Sequence, residues 1–189
     1  MEKKDLKPAG VFKYFEEICQ VPRPSKKEEK MIAYLKAFGA KHNLETKVDE
    51  AGNVLIKKPA TPGKENLQTV VLQSHIDMVC EKNNDVQHDF LTDPIETEID
   101  GEWLKAKGTT LGADNGIGVA TELAILADDS IEHGPLECLF TVDEETGLTG
   151  AFALKEGFMS GDILLNLDSE DEGEIFIGCA GGIDSVAEF

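Results

Sequence analysis

The sequence has few basic residues for its length. Its 189 residues include 18 Lys and Arg against 37 Asp and Glu, so the formal net charge is −19. A surface of that sign repels phosphate backbones and anionic lipid headgroups. We therefore expect neither a nucleic acid nor a membrane among the partners. Most of the acidic residues are expected to form a solvated surface.

Long apolar segments and paired cysteines are also lacking. No uncharged apolar run is long enough to span a bilayer, and the first residues show no apolar stretch typical of a secretory signal. The four cysteines are widely spaced and form no C-x-x-C pair. This spacing predicts reduced thiols rather than a disulfide framework or a thiolate zinc site. Together these features predict a cytoplasmic protein.

Three motifs of other enzyme classes are absent as well. The sequence contains no P-loop, no G-x-G-x-x-G and no G-x-S-x-G, so neither phosphate cradling nor serine catalysis is indicated. Hydrophobic residues make up 41% and charged residues 29%, a balance typical of a folded domain.

The apolar spacing predicts helices that alternate with strands. Two helices are expected near the N-terminus, the second started by a capping box that pairs Ser25 with Glu28. Further helices are expected at 117–127 and 148–154. Strands are expected at 53–58, 68–73, 136–142, 162–167 and 174–178, with a hairpin inside 95–107. This order predicts an α/β fold with a mixed, largely buried β-sheet flanked by helices.

Acidic and imidazole side chains follow several of these strands or occupy a nearby turn. They are His75 with Asp77, Glu144 with Glu145, Asp168, and Asp114. In open α/β folds functional side chains gather at the carboxyl ends of strands. Each group is weak by itself, but the shared location favours one common site.

Two of these groups have structural explanations as well as functional ones. His75 and Asp77 are two residues apart, so an extended backbone projects both to one face. A carboxylate there can orient a metal-binding imidazole, but a histidine hydrogen-bonded near a strand end explains the pair too. Asp114, in a glycine-rich turn, could bridge two cations or cap the next helix.

The pair Glu144-Glu145 fits a purely structural role least well. Adjacent carboxylates repel, and placing them beside the sheet core is costly unless a cation compensates. One could bind a metal while the other transfers a proton. Imidazole and carboxylate ligands without thiolate favour Zn, Mn or Co. The residues alone therefore point toward a metallohydrolase without settling the matter.

Longer stretches resemble the motifs of the M20 metallopeptidases, and in particular the aminoacyl-histidine dipeptidase branch. These stretches are SHIDMVCEKN (74–83), GTTLGADNGIG (108–118), TVDEETGLTGA (141–151) and LLNLDSEDEGEIFIGCAGG (164–182). The resemblance runs through essentially the whole chain. It implies the fold of an M20-type zinc peptidase catalytic domain.

The resemblance also implies a role for each candidate residue. Two divalent ions, zinc or else Mn or Co, would be bound by His75, Asp114, Glu145 and Asp168. Asp114 would bridge the ions and Glu145 would bind the second. Glu144 would be the catalytic base that activates a water bridged between the metals, and Asp77 would orient His75. The substrate would be a dipeptide, Xaa-His or another unblocked one.

Members of this family are longer than the present chain. The resemblance implies that 1–182 form the N-terminal part of the catalytic domain and that 183–189 begin an inserted lid or dimerisation domain. A further histidine ligand, expected far down the chain, has no counterpart here. We therefore expect residues 1–189 to bind metal weakly and to be inactive alone. The full-length protein is expected to form a homodimer through the lid.

Other functions remain open from the sequence. A tripeptidase or an N-acyl-amino-acid deacylase of the same family would share the metal ligands and differ in the lid. A non-catalytic metal-binding domain on the same fold is a third possibility. The presence of Glu144 argues against it, because a binding protein needs no base.

Overall fold

The computed structural model describes residues 2–169, 171, 173–179 and 181. After a short 3-10 turn at Lys3–Asp5, the α-helices are α1 (Ala9–Cys19), α2 (Glu29–Lys41), α3 (Ala113–Ala127) and α4 (Thr149–Ala153). The strands are β1 (Glu45–Val48), β2 (Val54–Lys58), β3 (Val70–His75), β4 (Thr97–Asp100), β5 (Trp103–Ala106), β6 (Leu136–Thr141) and β7 (Ile163–Asn166).

Five strands form one mixed sheet in the order β1-β2-β6-β3-β7. The neighbours β1, β2 and β6 run antiparallel, whereas β3 runs parallel to both β6 and β7. Strands β4 and β5 form a separate antiparallel hairpin. The expected α/β fold with a mixed sheet and flanking helices is confirmed. Because β6, β3 and β7 are adjacent and parallel, their carboxyl ends meet at one edge of the sheet.

The core lies mainly between the helices and one face of the sheet. Alternate strand residues point to this face, and they are Val54, Ile56, Leu72, Cys138 and Phe140. The intervening residues Leu55, Val71 and Leu139 point to the opposite face, where the segment after α4 covers them. Because both faces are covered, β2 and β6 carry apolar residues at successive positions, Val54 to Ile56 and Cys138 to Phe140.

Two local predictions are wrong, and one strand was missed. Helix α2 starts at Glu29, and no side-chain hydrogen bond caps it, because Ser25 and Glu28 bind other partners described below. The strand expected at 174–178 is not formed among those described residues, where Ile177 is fully exposed and has no surface to pack against. Strand β1 was not predicted, since only one of its four residues is strongly apolar.

The expected turn before the third helix is present, although α3 is assigned from Ala113. Asp114 and Asn115 have non-helical dihedral angles within it, and the peptide bond between them is cis. The N-cap is Gly112 in the left-handed conformation (φ 66°), with no side-chain cap. The Asp114 carboxylate lies 3.0 Å from Nε2 of His75, so its partner is the imidazole rather than a helix N–H group.

Two predictions concern the cysteines and membrane-spanning helices. The four cysteines are all free thiols, as predicted. Among the described residues, no helix has both the length and the apolar character needed to cross a bilayer. The boundary expected at 182/183 lies outside the described residues.

A close backbone approach at Gly150 gives a stability prediction. A Cβ placed there would lie 2.3 Å from the carbonyl oxygen of Val142 and 2.5 Å from Oδ1 of Asn53. We expect Gly150→Ala to lower the free energy of unfolding by about 1–3 kcal/mol, because neither neighbour can move without breaking buried hydrogen bonds. Urea unfolding measures this, with Gly178→Ala as the control, since Gly178 has open space around it. Equal midpoints for the two variants would contradict the prediction.

Candidate metal centre

The predicted site residues meet where the parallel strands end. His75 is the last residue of β3 and is buried, with 1% of its surface exposed. Its Nε2 atom lies 3.0 Å from Oδ1 of Asp114 and 3.4 Å from Oδ1 of Asp168. These three side chains could hold one cation between them.

Glu144 and Glu145 form a second possible ligand group with the same histidine. One ligand atom from each of His75, Glu144 and Glu145 lies within 4.8 Å of the other two. Both glutamates follow β6, which is aligned with β3 so that His75 pairs with Thr141. All the candidate ligands therefore lie around His75, as predicted from their shared location near strand ends.

Asp77 is a buried residue whose hydrogen bonds connect the two ligand groups. Its carboxylate faces Nδ1 of His75 at 3.2 Å and accepts the backbone N–H groups of Glu144 at 3.0 Å and Glu145 at 3.2 Å. The hydroxyl of Ser25 donates a fourth bond at 2.7 Å. Burial alone would raise the pKa of Asp77, but these four donors lower it to about 2. Asp77 is therefore an anion that touches both ligand groups.

The electrostatics of His75 indicate an affinity for positive charge. Burial lowers the pKa of His75, but its hydrogen bonds to Asp168 and Asp77 outweigh that effect and raise the pKa to about 10. The environment therefore stabilises a cation at this position strongly enough to overcome desolvation.

The neighbouring acids respond in opposite directions. The hydrogen bond to His75 lowers the pKa of Asp168. Burial raises the pKa of Glu144, and the charges of Asp168 and Glu145 add to this against the opposing effect of His75. Burial also raises the pKa of Glu145. The raised pKa values of Glu144 and Glu145 indicate that nearby positive charge does not fully compensate these two carboxylates. Such groups are expected to bind a cation or a proton.

Access to the centre comes from the side of Asp114 and Asp168. The side chain of Asp114 is 53% exposed and that of Asp168 28%, whereas His75 and Asp77 are buried. Oxygen and imidazole donors with a buried second layer fit Zn, Mn or Co. The residues present therefore fit a divalent metal.

Three residues that contact this centre were not predicted from the sequence: Arg23, Ser25 and Asn115. The amide of Asn115 donates to Oδ1 of Asp168 at 2.9 Å, and Ser25 contacts Asp77 as described above. Arg23 donates to backbone carbonyls around the site. An arginine is usually exposed, so only its position between two prolines could have drawn attention to it.

Comparison with known proteins places the chain in a family. Residues 71–184 match the peptidase family M20/M25/M40. The cytosol non-specific dipeptidase of Escherichia coli (strain K12) is 54% identical over 183 residues. That match covers 97% of this chain and 38% of the relative. The chain belongs to peptidase family M20/M25/M40.

Solved structures agree with this assignment. The aminoacylhistidine dipeptidase from Vibrio alginolyticus superposes with a TM-score of 0.92 at 56% identity, over 95% of this chain and 36% of that one. The aminopeptidase PepT from Bacillus cereus superposes with a TM-score of 0.73 at 26% identity, over 86% of this chain and 43% of that one. The chain thus spans well under half the length of these relatives.

Proposed function

We propose that this chain supplies metal-binding and catalytic residues of a metal-dependent dipeptidase that cleaves Xaa-His and other unblocked dipeptides. The observation that carries the proposal is the grouping of Glu144 and Glu145 around the same histidine that contacts Asp114 and Asp168. The similarity to an E. coli dipeptidase and a Vibrio aminoacylhistidine dipeptidase supports the substrate class.

Each side chain has a proposed part in binding the metals. The ligands would be His75, Asp114 and Asp168 for one ion and Glu145 for the second, with Asp114 shared between the two. When bound, such ions, most simply zinc, supply Lewis acidity toward the peptide carbonyl and the attacking water. Asp77 accepts the Nδ1 proton of His75, which leaves Nε2 free to act as a ligand.

Glu144 is the proposed general base. Its carboxylate would take a proton from the attacking water as the water oxygen bonds to the peptide carbon. It would then give that proton to the nitrogen as the C–N bond breaks, so that a free amine leaves. A base whose pKa is raised toward neutrality suits both steps, and burial moves Glu144 in that direction.

The remaining parts of the proposal concern the whole protein. The final histidine ligand and the groups that grip the substrate's charged ends are expected in a continuation of the chain beyond a lid that starts near 183. The lid would also form the homodimer. The cytoplasm is the proposed location, in line with the cytosolic name of the E. coli relative.

The test is an assay of the full-length gene product, stripped with a chelator and reloaded with Zn or Mn. We expect chelator-sensitive cleavage confined to unblocked dipeptides, tested beside tripeptides and N-acyl amino acids. Residues 1–189 alone are the second sample and are expected to be inactive.

Each of the other outcomes rejects a specific part of the proposed function. A preference for tripeptides or acylated substrates would reject the dipeptidase and keep the metal site. Metal binding without any hydrolysis would favour a binding domain. Substantial turnover by residues 1–189 would show that the chain needs no further ligand.

A further inference from the structure

The loop between α1 and α2, residues 20–28, places a buried cation against the metal centre. Arg23 is only 2% exposed. Its Nη1 donates to the carbonyl oxygens of Ile76 at 3.1 Å and Asp77 at 3.0 Å, and its Nη2 donates to that of Gly112 at 2.5 Å. One planar guanidinium thus connects the segment that follows His75 with the turn that carries Asp114.

The turn around Asp114 is built closely against this guanidinium. A Cβ at Gly112 would lie 2.5 Å from Nη2 of Arg23, and a Cβ at Gly116 would lie 2.7 Å from the same atom. Gly112 also has a positive φ of 66°. Gly112 and Gly116, one on each side of Asp114, therefore allow the turn to approach the guanidinium of Arg23 more closely than a larger residue would.

Two other residues of the same loop contact the centre from the same side. The hydroxyl of Ser25 donates to the carboxylate of Asp77 at 2.7 Å. Oε1 of Glu28 accepts the backbone N–H of Asp143 at 3.0 Å, immediately before Glu144. The loop therefore contacts three of the four segments that carry the candidate ligands, and the fourth is the segment after β7.

We propose that Arg23 is a positioning residue that sets the separation between His75 and Asp114, and hence the geometry and affinity of the metal site. It acts through the carbonyls of Ile76, Asp77 and Gly112 and touches neither metal nor substrate. The inference rests on the proposed function, since it assigns Arg23 a part in the metal site proposed there.

Charge and hydrogen-bond geometry explain why an arginine is needed. A lysine ammonium carries its donors on a single atom, so it does not reproduce the spacing of the two guanidinium nitrogens that reach carbonyls on two separate segments. Without the guanidinium, the three carbonyl oxygens lose their buried donor, and the two segments lose their common anchor. The ligands they carry would then be free to move apart.

The experiment compares metal binding by Arg23→Gln, Arg23→Lys and the wild type in the full-length gene product. Zinc affinity is measured by competition with a chromophoric chelator well below the thermal midpoint, and Co(II) absorption reports the ligand geometry. The matched control is Lys57→Gln, which removes the 2.6 Å ion pair with Glu137 on the far side of the sheet. It costs stability without touching the centre.

We expect both Arg23 variants to bind zinc about 10–100-fold more weakly, in the range found when groups behind metal ligands are removed. Their Co(II) spectra should be altered, whereas Lys57→Gln should keep wild-type affinity and spectrum. If Arg23→Gln does not fold, Arg23→Lys decides. A folded Arg23 variant with wild-type affinity and spectrum overturns the inference. Failure of the wild type to bind zinc overturns the proposed function instead.

Discussion

Glu144→Gln is expected to lower kcat of the full-length gene product by about 100- to 10,000-fold, the contribution typical of a positioned general base. The amide keeps the size of the side chain but cannot accept a proton from water. Because the proposal assigns no metal to Glu144, zinc content and affinity should stay at the wild-type level. The measurement combines steady-state kinetics on a dipeptide with metal analysis of the dialysed protein.

The matched control is Glu102→Gln, an exposed glutamate in the turn of the β4–β5 hairpin. It makes the same chemical change away from the centre and should leave both quantities unaltered. Since Glu144 and Glu145 both lie near His75, their assignments could be exchanged. Equal loss of turnover and zinc in Glu144→Gln would show that Glu144 is a ligand and would assign the base to Glu145.

Asp77→Ala is expected to reduce both stability and metal affinity. The change leaves the backbone N–H groups of Glu144 and Glu145 and the hydroxyl of Ser25 without their acceptor. Each buried donor left unpaired costs about 1–3 kcal/mol. His75 also loses the carboxylate that orients its ring, which typically weakens metal binding about 10–100-fold. Urea unfolding and competitive zinc titration measure the two effects.

Asp49→Ala separates these two effects. The Asp49 carboxylate also accepts several backbone N–H groups, from Ala51, Gly52 and Asn53. Its removal should therefore lower stability while leaving zinc affinity unchanged for the folded protein. If Asp49→Ala weakened zinc binding as much as Asp77→Ala, the loss would follow from general destabilisation, and the assigned role of Asp77 would be wrong.

The strand-end pattern was enough to predict that the candidate ligands lie close together. His75 ends β3 and Glu144 follows β6, two strands that are buried on both faces, and parallel pairing placed their carboxyl ends together. The physical contacts of Asp77 with His75 follow from their two-residue spacing. The roles of ligand, bridge and base remain predictions that the substitutions above test.

Other features could not be predicted because distant residues decide them. Ser25 and Glu28 have the spacing of a capping box, but Asp77 and the backbone of Asp143 provide partners that local sequence does not reveal. Strand β1 forms because β2 offers an antiparallel partner, although its own residues carry little apolar signal. Arg23 is buried because three carbonyls meet around it, which depends on the finished fold.

The hydrogen bonds around Arg23 also bear on when a metal can bind the chain. They join residues 53, 54 and 89 positions apart in sequence, and the bond from Asp143 to Glu28 spans 115 positions. Contacts this distant have a large loop-closure entropy and cannot form within an isolated local segment. The cation-binding geometry therefore exists only in the folded chain, so a metal that binds it would stabilise the native state and not the unfolded one.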